Sequence, residues 1–379
     1  MRRTDEDIRL REIALGVVDG LIPLVEEGPD GRVNRPLLDA LGQDLLPEIF
    51  PENVGGKLHG SVSARALCVI RECLGQHLPP AETALALQGL GGYPILLHAT
   101  AAPMERWVPA VAAGRAVAGF ALTEPEAGSD AAAISTSANR TDDGWVISGE
   151  KTWISNAPDA DVYTVFARTG EEGSRGVSAF VVPGDSPGLT GDSLDMVAPH
   201  ALGRIRLEEV TVPPDALLGE ENRGFRVAMT TLDLFRPSVG AFAVGLAQAA
   251  LDATLEHTAS REAFGGTLGD LQAIQHGVAD MAVDIETARL LVFEAADEYD
   301  NGGPDVTRLS AMAKLHATEM ASRVVDKAIQ FHGARALERG HLLEELYREV
   351  RAPRIYEGAS EVQRTIIARE LLSSERTRE

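Results

Sequence analysis

The chain has 379 residues, of which 44% are hydrophobic, and carries 57 acidic against 35 basic side chains for a formal net charge of -22. That length suits two or three domains of about 150 residues each, with ample apolar material for their cores. So acidic a chain lacks the basic face that a phosphate backbone requires, which excludes nucleic acid as a partner and suits docking against a basic protein patch.

The first residues, MRRTDEDIRLREIALG, are charged and lack the apolar stretch of a secretory signal. No run reaches the roughly 18 apolar residues of a membrane span. The expectation is a cytoplasmic protein with no membrane partner. Residues 4 to about 118 read as helical, with apolar residues three and four apart over 8–24 and 64–74, broken by Pro and Gly. Cys68 and Cys73, five residues apart in such a stretch, do not face one another and fit no zinc spacing, so they read as buried thiols of a reducing compartment.

From about 119 to 224 the texture changes to strands. GWVISGEKTWISN alternates and is rich in β-branched and aromatic residues, and VYTVFAR, VSAFVVP and RIRLEEVTVP follow, separated by Gly, Pro and Asp clusters. After Gly224 the periodicity predicts helices over 225–234, 238–260, 271–299, 306–331, 342–350 and 360–372, with Gly302-Gly303-Pro304 as a loop. Three domains are expected: 1–118 helical, 119–224 β, and 225–379 helical. The order is not alternating βα, which argues against a doubly wound sheet. No Walker A loop, strand-linked G-x-G-x-x-G or metal-binding His pattern is present. GLGGYP at 89–94 has the wrong spacing and no strand before it.

Three stretches carry candidate chemistry. RIYEGASEVQRTIIARELL, 354–372, places Glu357 in the turn before a helix, with Gly358 free to bend and with Ser360 and Gln363 spaced as a capping box. By itself this explains the acid as a helix ornament favoured by the dipole. FALTEPEAGSD, 120–130, reads as an acidic loop or as a cation site of Glu124, Glu126 and Asp130. Trp153-Ile154-Ser155-Asn156 reads as a strand end.

Taken together, TEPEAGSD, WIS and YEG closely resemble the flavin and active-site signatures of the acyl-CoA dehydrogenase family. LDLFRP at 232–237, REAFGG at 261–266 and LQAIQ at 271–275 fall in that family's order, and the resemblance spans about residues 85–372. It implies an N-terminal helical domain, a central β-barrel or sandwich domain and a C-terminal four-helix bundle. It implies FAD, an acyl-CoA substrate, an electron-transfer flavoprotein as acceptor and a homo-oligomer, tetramer or dimer. Phe120, Leu122 and Thr123 are implied at the flavin ring, and Trp153 and Ser155 at its reactive edge. Ser129 is implied at the cofactor and at the CoA arm. Arg261 is implied at a neighbouring subunit's FAD pyrophosphate, a role suited to a bidentate guanidinium. Phe264, Gln272, Gln330, Gly333, Ala359 and Glu361 fall at further cofactor positions. Arg236, Gly358 and Tyr93 fall at substrate positions, Tyr93 at the base of the acyl pocket or else as a core aromatic.

Glu357 is implied as the base that takes the α-proton of the thioester, whose carbonyl would be polarised by the base's own backbone N–H and a flavin ribityl hydroxyl. Phe235 occupies the alternative position for the base in some members and accepts no proton. The chain departs from the family pattern at Ala359 and Glu361, usually Thr and Gln, at Ala263, usually Thr, and at QFHGA, 330–334, where a glycine pair is common. These changes predict a weaker hold on FAD. They leave open an oxygen-using flavin enzyme of the same fold, or a carrier-protein thioester as substrate.

Overall fold

The computed structural model describes residues 4–376. Five helices come first: α1 (Asp5–Glu26), α2 (Arg35–Asp44), α3 (Ala64–His77), α4 (Pro79–His98) and α5 (Ala101–Ala112). Seven strands follow: β1 (Ala118–Ala121), β2 (Ser137–Thr141), β3 (Gly144–Ser155), β4 (Val162–Arg168), β5 (Val177–Pro183), β6 (Leu189–Ser193) and β7 (Leu202–Val212). The remainder is α6 (Gly224–Ser260), a hairpin of β8 (Glu262–Ala263) and β9 (Gly266–Thr267), α7 (Gln272–Asp300), α8 (Val306–His332), α9 (Leu342–Glu349) and α10 (Ser360–Arg376). The order helical, β, helical is the one expected.

The chain forms two compact units. One comprises residues 1–18, 63–82 and 233–379, and the other 19–62 and 83–232. The N-terminal helices are therefore shared between the units.

In the sheet-containing unit, β4 and β5 are buried along almost their whole length. VYTVFAR and VSAFVVP are continuous apolar runs, the pattern of strands covered on both faces. β4 pairs in parallel with β1 and antiparallel with β5. β3 pairs antiparallel with β2 and β7, and β7 with β6. The exposed, polar β6 ends this path.

In the helical unit, α8 packs against α7, α9 and α10, and α7 against α3. α3 starts at Ser63, whose side chain accepts from the Ala66 N–H, an ordinary N-cap. Cys68 and Cys73 are both buried, and neither forms a disulfide among the described residues.

Separate helices over 225–234 and 238–260 are expected, yet α6 runs unbroken through Pro237. A proline inside a helix strips the carbonyl four residues earlier of its donor. Here that carbonyl is Asp233 O, and Ser310 Oγ of α8 donates to it at 2.8 Å. The side-chain bond replaces the missing backbone bond and removes the reason to break. α6 is also long and apolar enough to cross a membrane, but 78% of its most apolar window is buried, so its hydrophobicity is that of core.

Candidate active site

In the helical unit the YEG turn lies between the short turn Ala352–Arg354 and α10. Glu357 has φ 54° and Gly358 φ 98°. Left-handed backbone at a glutamate is uncommon and costs energy unless its surroundings hold it there. Buried side chains do so. Arg236 Nε donates to Glu357 O at 3.2 Å. Gln363 Nε2 donates to Glu357 O at 3.0 Å and to Gly358 O at 2.9 Å. Lys314 Nζ donates to Gly358 O at 2.6 Å. Glycine suits 358 through its φ of 98°, and a Cβ there would stand 2.5 Å from Gln363 Nε2 and push that side chain off the two carbonyls.

The expected capping box does not form. The Gln363 N–H that Ser360 Oγ would have to accept goes to Ala359 O at 3.0 Å, Ser360 Oγ donates to the Glu319 carboxylate at 2.6 Å, and the Gln363 side chain folds back onto the two carbonyls instead. The Glu357 and Gly358 N–H groups make no hydrogen bond among the described residues.

The Glu357 side chain is poised rather than paired. Its Oε2 is buried and has no hydrogen-bond partner among the described residues. Burial pushes the carboxyl above the ordinary range, opposed by the charges of Arg71, Lys314 and Arg236. Arg71 is itself 3% exposed. It is held by an ion pair with Glu82 and donates to Ser238 Oγ at 2.7 Å. Arg236 pairs with Asp233 at 2.8 Å, and Asp233 accepts from Thr307 Oγ1 at 2.7 Å. A desolvated carboxylate with an open oxygen, surrounded by fixed cations, is the arrangement of a general base.

At the far end of α6, Arg261 is exposed and leads into the β8–β9 hairpin. The hairpin's two-residue tip has φ 53° at Phe264 and 86° at Gly265. Two positive φ values define a turn that normally takes Asn-Gly or Asp-Gly. Phenylalanine there is strained and 90% exposed, which points to a role outside its own fold. Gln272 opens α7 and is exposed. Gln330 lies exposed in the last turn of α8, and Gly333, φ 68°, ends that helix. His332 packs rather than reaching outward: its ring stacks 4.2 Å from His257 and meets His341 at 5.7 Å. Glu361 is exposed 3.7 Å from Arg364, which partly neutralises its added charge.

In the sheet unit, β1 leads through Leu122 and Thr123 into a tight turn in which Glu124 and Ala127 exchange backbone hydrogen bonds. Glu124 is buried and is not a cation ligand. Its carboxylate accepts from Ser135 N and Oγ at 2.6 and 2.8 Å, from Thr136 N at 2.9 Å and from Lys151 Nζ at 2.8 Å. Lys151 is 0% exposed and also donates to Leu122 O at 3.1 Å. Glu126 and Asp130 stay exposed. No metal-binding cluster exists among the described residues.

The β3–β7 register shifts between Lys151 and Ile154. Within that bulge Trp153 has φ 54° and is 51% exposed, while Thr152 and Ile154 are buried. Bulges re-aim side chains in this way. Phe120 and Leu122 are nearly buried, Phe120 4.9 Å from the Phe166 ring. Ser155 is buried, Thr123 half-buried and Ser129 exposed. Tyr93 is fully buried in the core, its hydroxyl donating to Ile49 O and its ring 5.2 Å from Phe50.

Sequence reasoning missed Lys314, Lys151 and Arg71, and read Gln363 only as a capping residue. The available signal was a charged or polar residue inside an apolar period. Lys314 shares its helical stripe with Ser310, Ala317 and Ala321, all buried.

Residues 119–210 match the model of the acyl-CoA dehydrogenase middle domain, and residues 222–372 that of the acyl-CoA dehydrogenase C-terminal domain. The chain is 38% identical over 346 residues to cyclohexane-1-carbonyl-CoA dehydrogenase of Geobacter metallireducens, covering 90% of each. It is 43% identical over 288 residues to the mitochondrial short-chain specific acyl-CoA dehydrogenase of Bos taurus, 75% of this chain and 70% of that one. The structure of butyryl-CoA dehydrogenase from Megasphaera elsdenii superposes with a TM-score of 0.92 at 32% identity, covering 98% of this chain and 99% of that one.

Proposed function

The chain belongs to the acyl-CoA dehydrogenase family, an oxidoreductase family, and from that premise we propose that it converts a saturated acyl-CoA into its trans-2-enoyl-CoA. The observation that carries this reading is Glu357: a carboxylate with one buried, unpartnered oxygen, on a turn that its neighbours hold in left-handed conformation. The thioester carbonyl is polarised by the free Glu357 N–H. The Cα–H bond breaks, its proton passes to the Glu357 carboxylate, and the electron pair stays on the substrate as the incipient enolate. Substrate binding excludes water from an acid already short of solvation and sharpens its basicity.

The cofactor is FAD, which when bound supplies the acceptor for the β-hydrogen as hydride. The residues present fit it. Trp153, lifted out of β3, is a flat apolar surface beside Ser155. Phe264 and Arg261 are an unexplained exposed aromatic and a free guanidinium of the kind that meet a ring and a phosphate. An electron-transfer flavoprotein is the electron acceptor, and the protein works as a homo-oligomer in the cytoplasm. Phe264, Leu337 and Val283, all more than 60% exposed, support further burial in an assembly.

Anaerobic titration of the yellow protein with a panel of acyl-CoAs tests this reading. The panel starts from short and alicyclic chains, because the similar proteins bear such names, and extends to branched and long ones. Flavin bleaching with a long-wavelength charge-transfer band is expected for at least one member. A flavin that no acyl-CoA bleaches overturns the reading. A second expectation concerns Trp153→Ala. A buried tryptophan costs about 3–5 kcal/mol when truncated. Trp153 is half exposed, so unfolding in urea should shift by about 1 kcal/mol or less. The flavin-to-protein absorbance ratio after gel filtration should fall.

A further inference from the structure

We propose that Lys314 is a positioning residue of the YEG turn: its buried ammonium holds the Gly358 carbonyl and supplies fixed positive charge to the Glu357 carboxylate. The inference rests on Glu357 being the base. Lys314 lies mid-helix in α8, 0% exposed, between buried Ser310 and Thr318. An ammonium there is costly to desolvate, and a methionine would fill the same space without that penalty. Nothing in the packing of α8 asks for a charge. Among the described residues, the acceptor that its ammonium reaches is the Gly358 carbonyl, 2.6 Å from Nζ. Gly358 O and the neighbouring Glu357 O are the two carbonyls turned inward by the consecutive positive φ values at 357 and 358.

Gln363 also reaches both carbonyls, but it is neutral. Arg236 Nε reaches only the Glu357 carbonyl; of the two residues that hold Gly358 O, Lys314 is the charged one. The groups acting on Glu357 are Arg71 of α3, Glu82 of α4, Arg236 of α6, Lys314 of α8 and Tyr356 of its own turn. Asp233 acts on Arg236, while Glu319 and Glu361 act on Lys314. Burial pushes Lys314 down to about 8, against the pull of Glu357. The lysine is charged at neutral pH and opposes the upward push of burial on the carboxyl. Removing its charge must therefore raise the pH at which Glu357 gives up its proton.

The test is an infrared pH titration of the Glu357 carboxyl band, assigned by its loss in Glu357→Gln, in the flavin-loaded protein without substrate. Lys314→Met should move the midpoint up by about one pH unit, a tenfold change in proton affinity. Gln363→Met should leave the midpoint within about 0.3 unit while lowering the rate of flavin bleaching by acyl-CoA, since it removes position without charge. A merely structural lysine would change thermal stability and leave the midpoint where it is; an unmoved midpoint in folded Lys314→Met overturns the assignment. If that variant does not fold, the wild type carries the test. Its Glu357 carboxylate band should shift in a second step near pH 8, as Lys314 loses its charge, and a single step overturns the proposal. The titration needs no turnover. A protein that no acyl-CoA bleaches would refute the proposed reaction without deciding this inference, and an unmoved midpoint would refute Lys314 without touching Glu357.

Discussion

Glu357→Gln is expected to lower the rate of flavin bleaching by the best acyl-CoA by roughly 10²–10⁴-fold, the range a positioned general base contributes. The upper end is the more reasonable expectation, because among the described residues no second carboxylate belongs to the turn. Glutamine keeps the shape and the backbone N–H, so binding of the thioester should persist while proton abstraction fails. The measurement is stopped-flow absorbance under anaerobic conditions. Bleaching at the wild-type rate would show that the proton goes elsewhere.

The same substitution has a stability sign. Burial raises the folded carboxyl above its ordinary range, against Arg71, Lys314 and Arg236. An acid with a raised folded pKa binds more protons folded than unfolded between the two values, so its contribution to stability falls as pH rises through that interval. At neutral pH the ionised form is the disfavoured one, and Glu357→Gln should leave the melting temperature unchanged or higher. In the wild type the bleaching rate should rise with pH through a limb above the ordinary carboxylate range, and in Glu357→Gln that limb should vanish. Loss of activity together with undiminished stability separates chemistry from folding.

The order of helices and strands was legible because its causes are local. VYTVFAR and VSAFVVP are continuous apolar runs bounded by turn residues, and they are the buried pair β4 and β5. The stretch 238–260 repeats at helical spacing. What was not legible was decided by partners distant in sequence. Pro237 reads as a helix end until Ser310, 73 residues later, supplies the missing donor to Asp233 O. Ser360 and Gln363 read as a capping box until the Gln363 N–H goes to Ala359 O and the serine turns to Glu319, 41 residues earlier. Glu357 stood out through its motif, but the motif says nothing of what holds the turn. Lys314, Arg236 and Gln363 arrive from three separate helices, and no local pattern in the sequence brings the three to one turn. Tyr93 read equally well as pocket wall or core aromatic, and the side chain that decides its packing, Phe50, lies 43 residues earlier.

The Glu124–Lys151 pair is expected to give the largest stability effect in the protein. Both side chains are buried, at 3% and 0% exposure. Burial pushes the Glu124 carboxyl up, but the Lys151 charge and the bonds from Lys151, Ser135 and Thr136 outweigh it and hold it at about 2. Burial pushes Lys151 down to about 8 despite Glu124. The two shifts disagree about the pair: the carboxylate gains from it and the ammonium still loses by being buried. Both remain charged at neutral pH, so the pair as a whole adds little to stability, while either partner left alone is a buried unpaired charge. Glu124→Gln or Lys151→Met should each cost about 3–5 kcal/mol in urea unfolding, and the double variant far less than their sum. Additive losses would mean that the two groups act independently. A folded pKa depressed to about 2 also sets the acid limb. Glu124 contributes its stability above the ordinary carboxylate value of 4.5 and loses it progressively as pH falls toward 2, so Glu124→Gln should flatten that part of the stability curve. The lysine also holds Leu122 O, and the next strand position, Thr152, donates its N–H to Thr123 O at 3.0 Å. The pair therefore fixes Leu122 and Thr123 on one side and the Trp153 bulge on the other. Weakened flavin retention in the single variants, restored toward wild type in the double one, would place the role of this ion pair in shaping the flavin-facing loop rather than in adding stability.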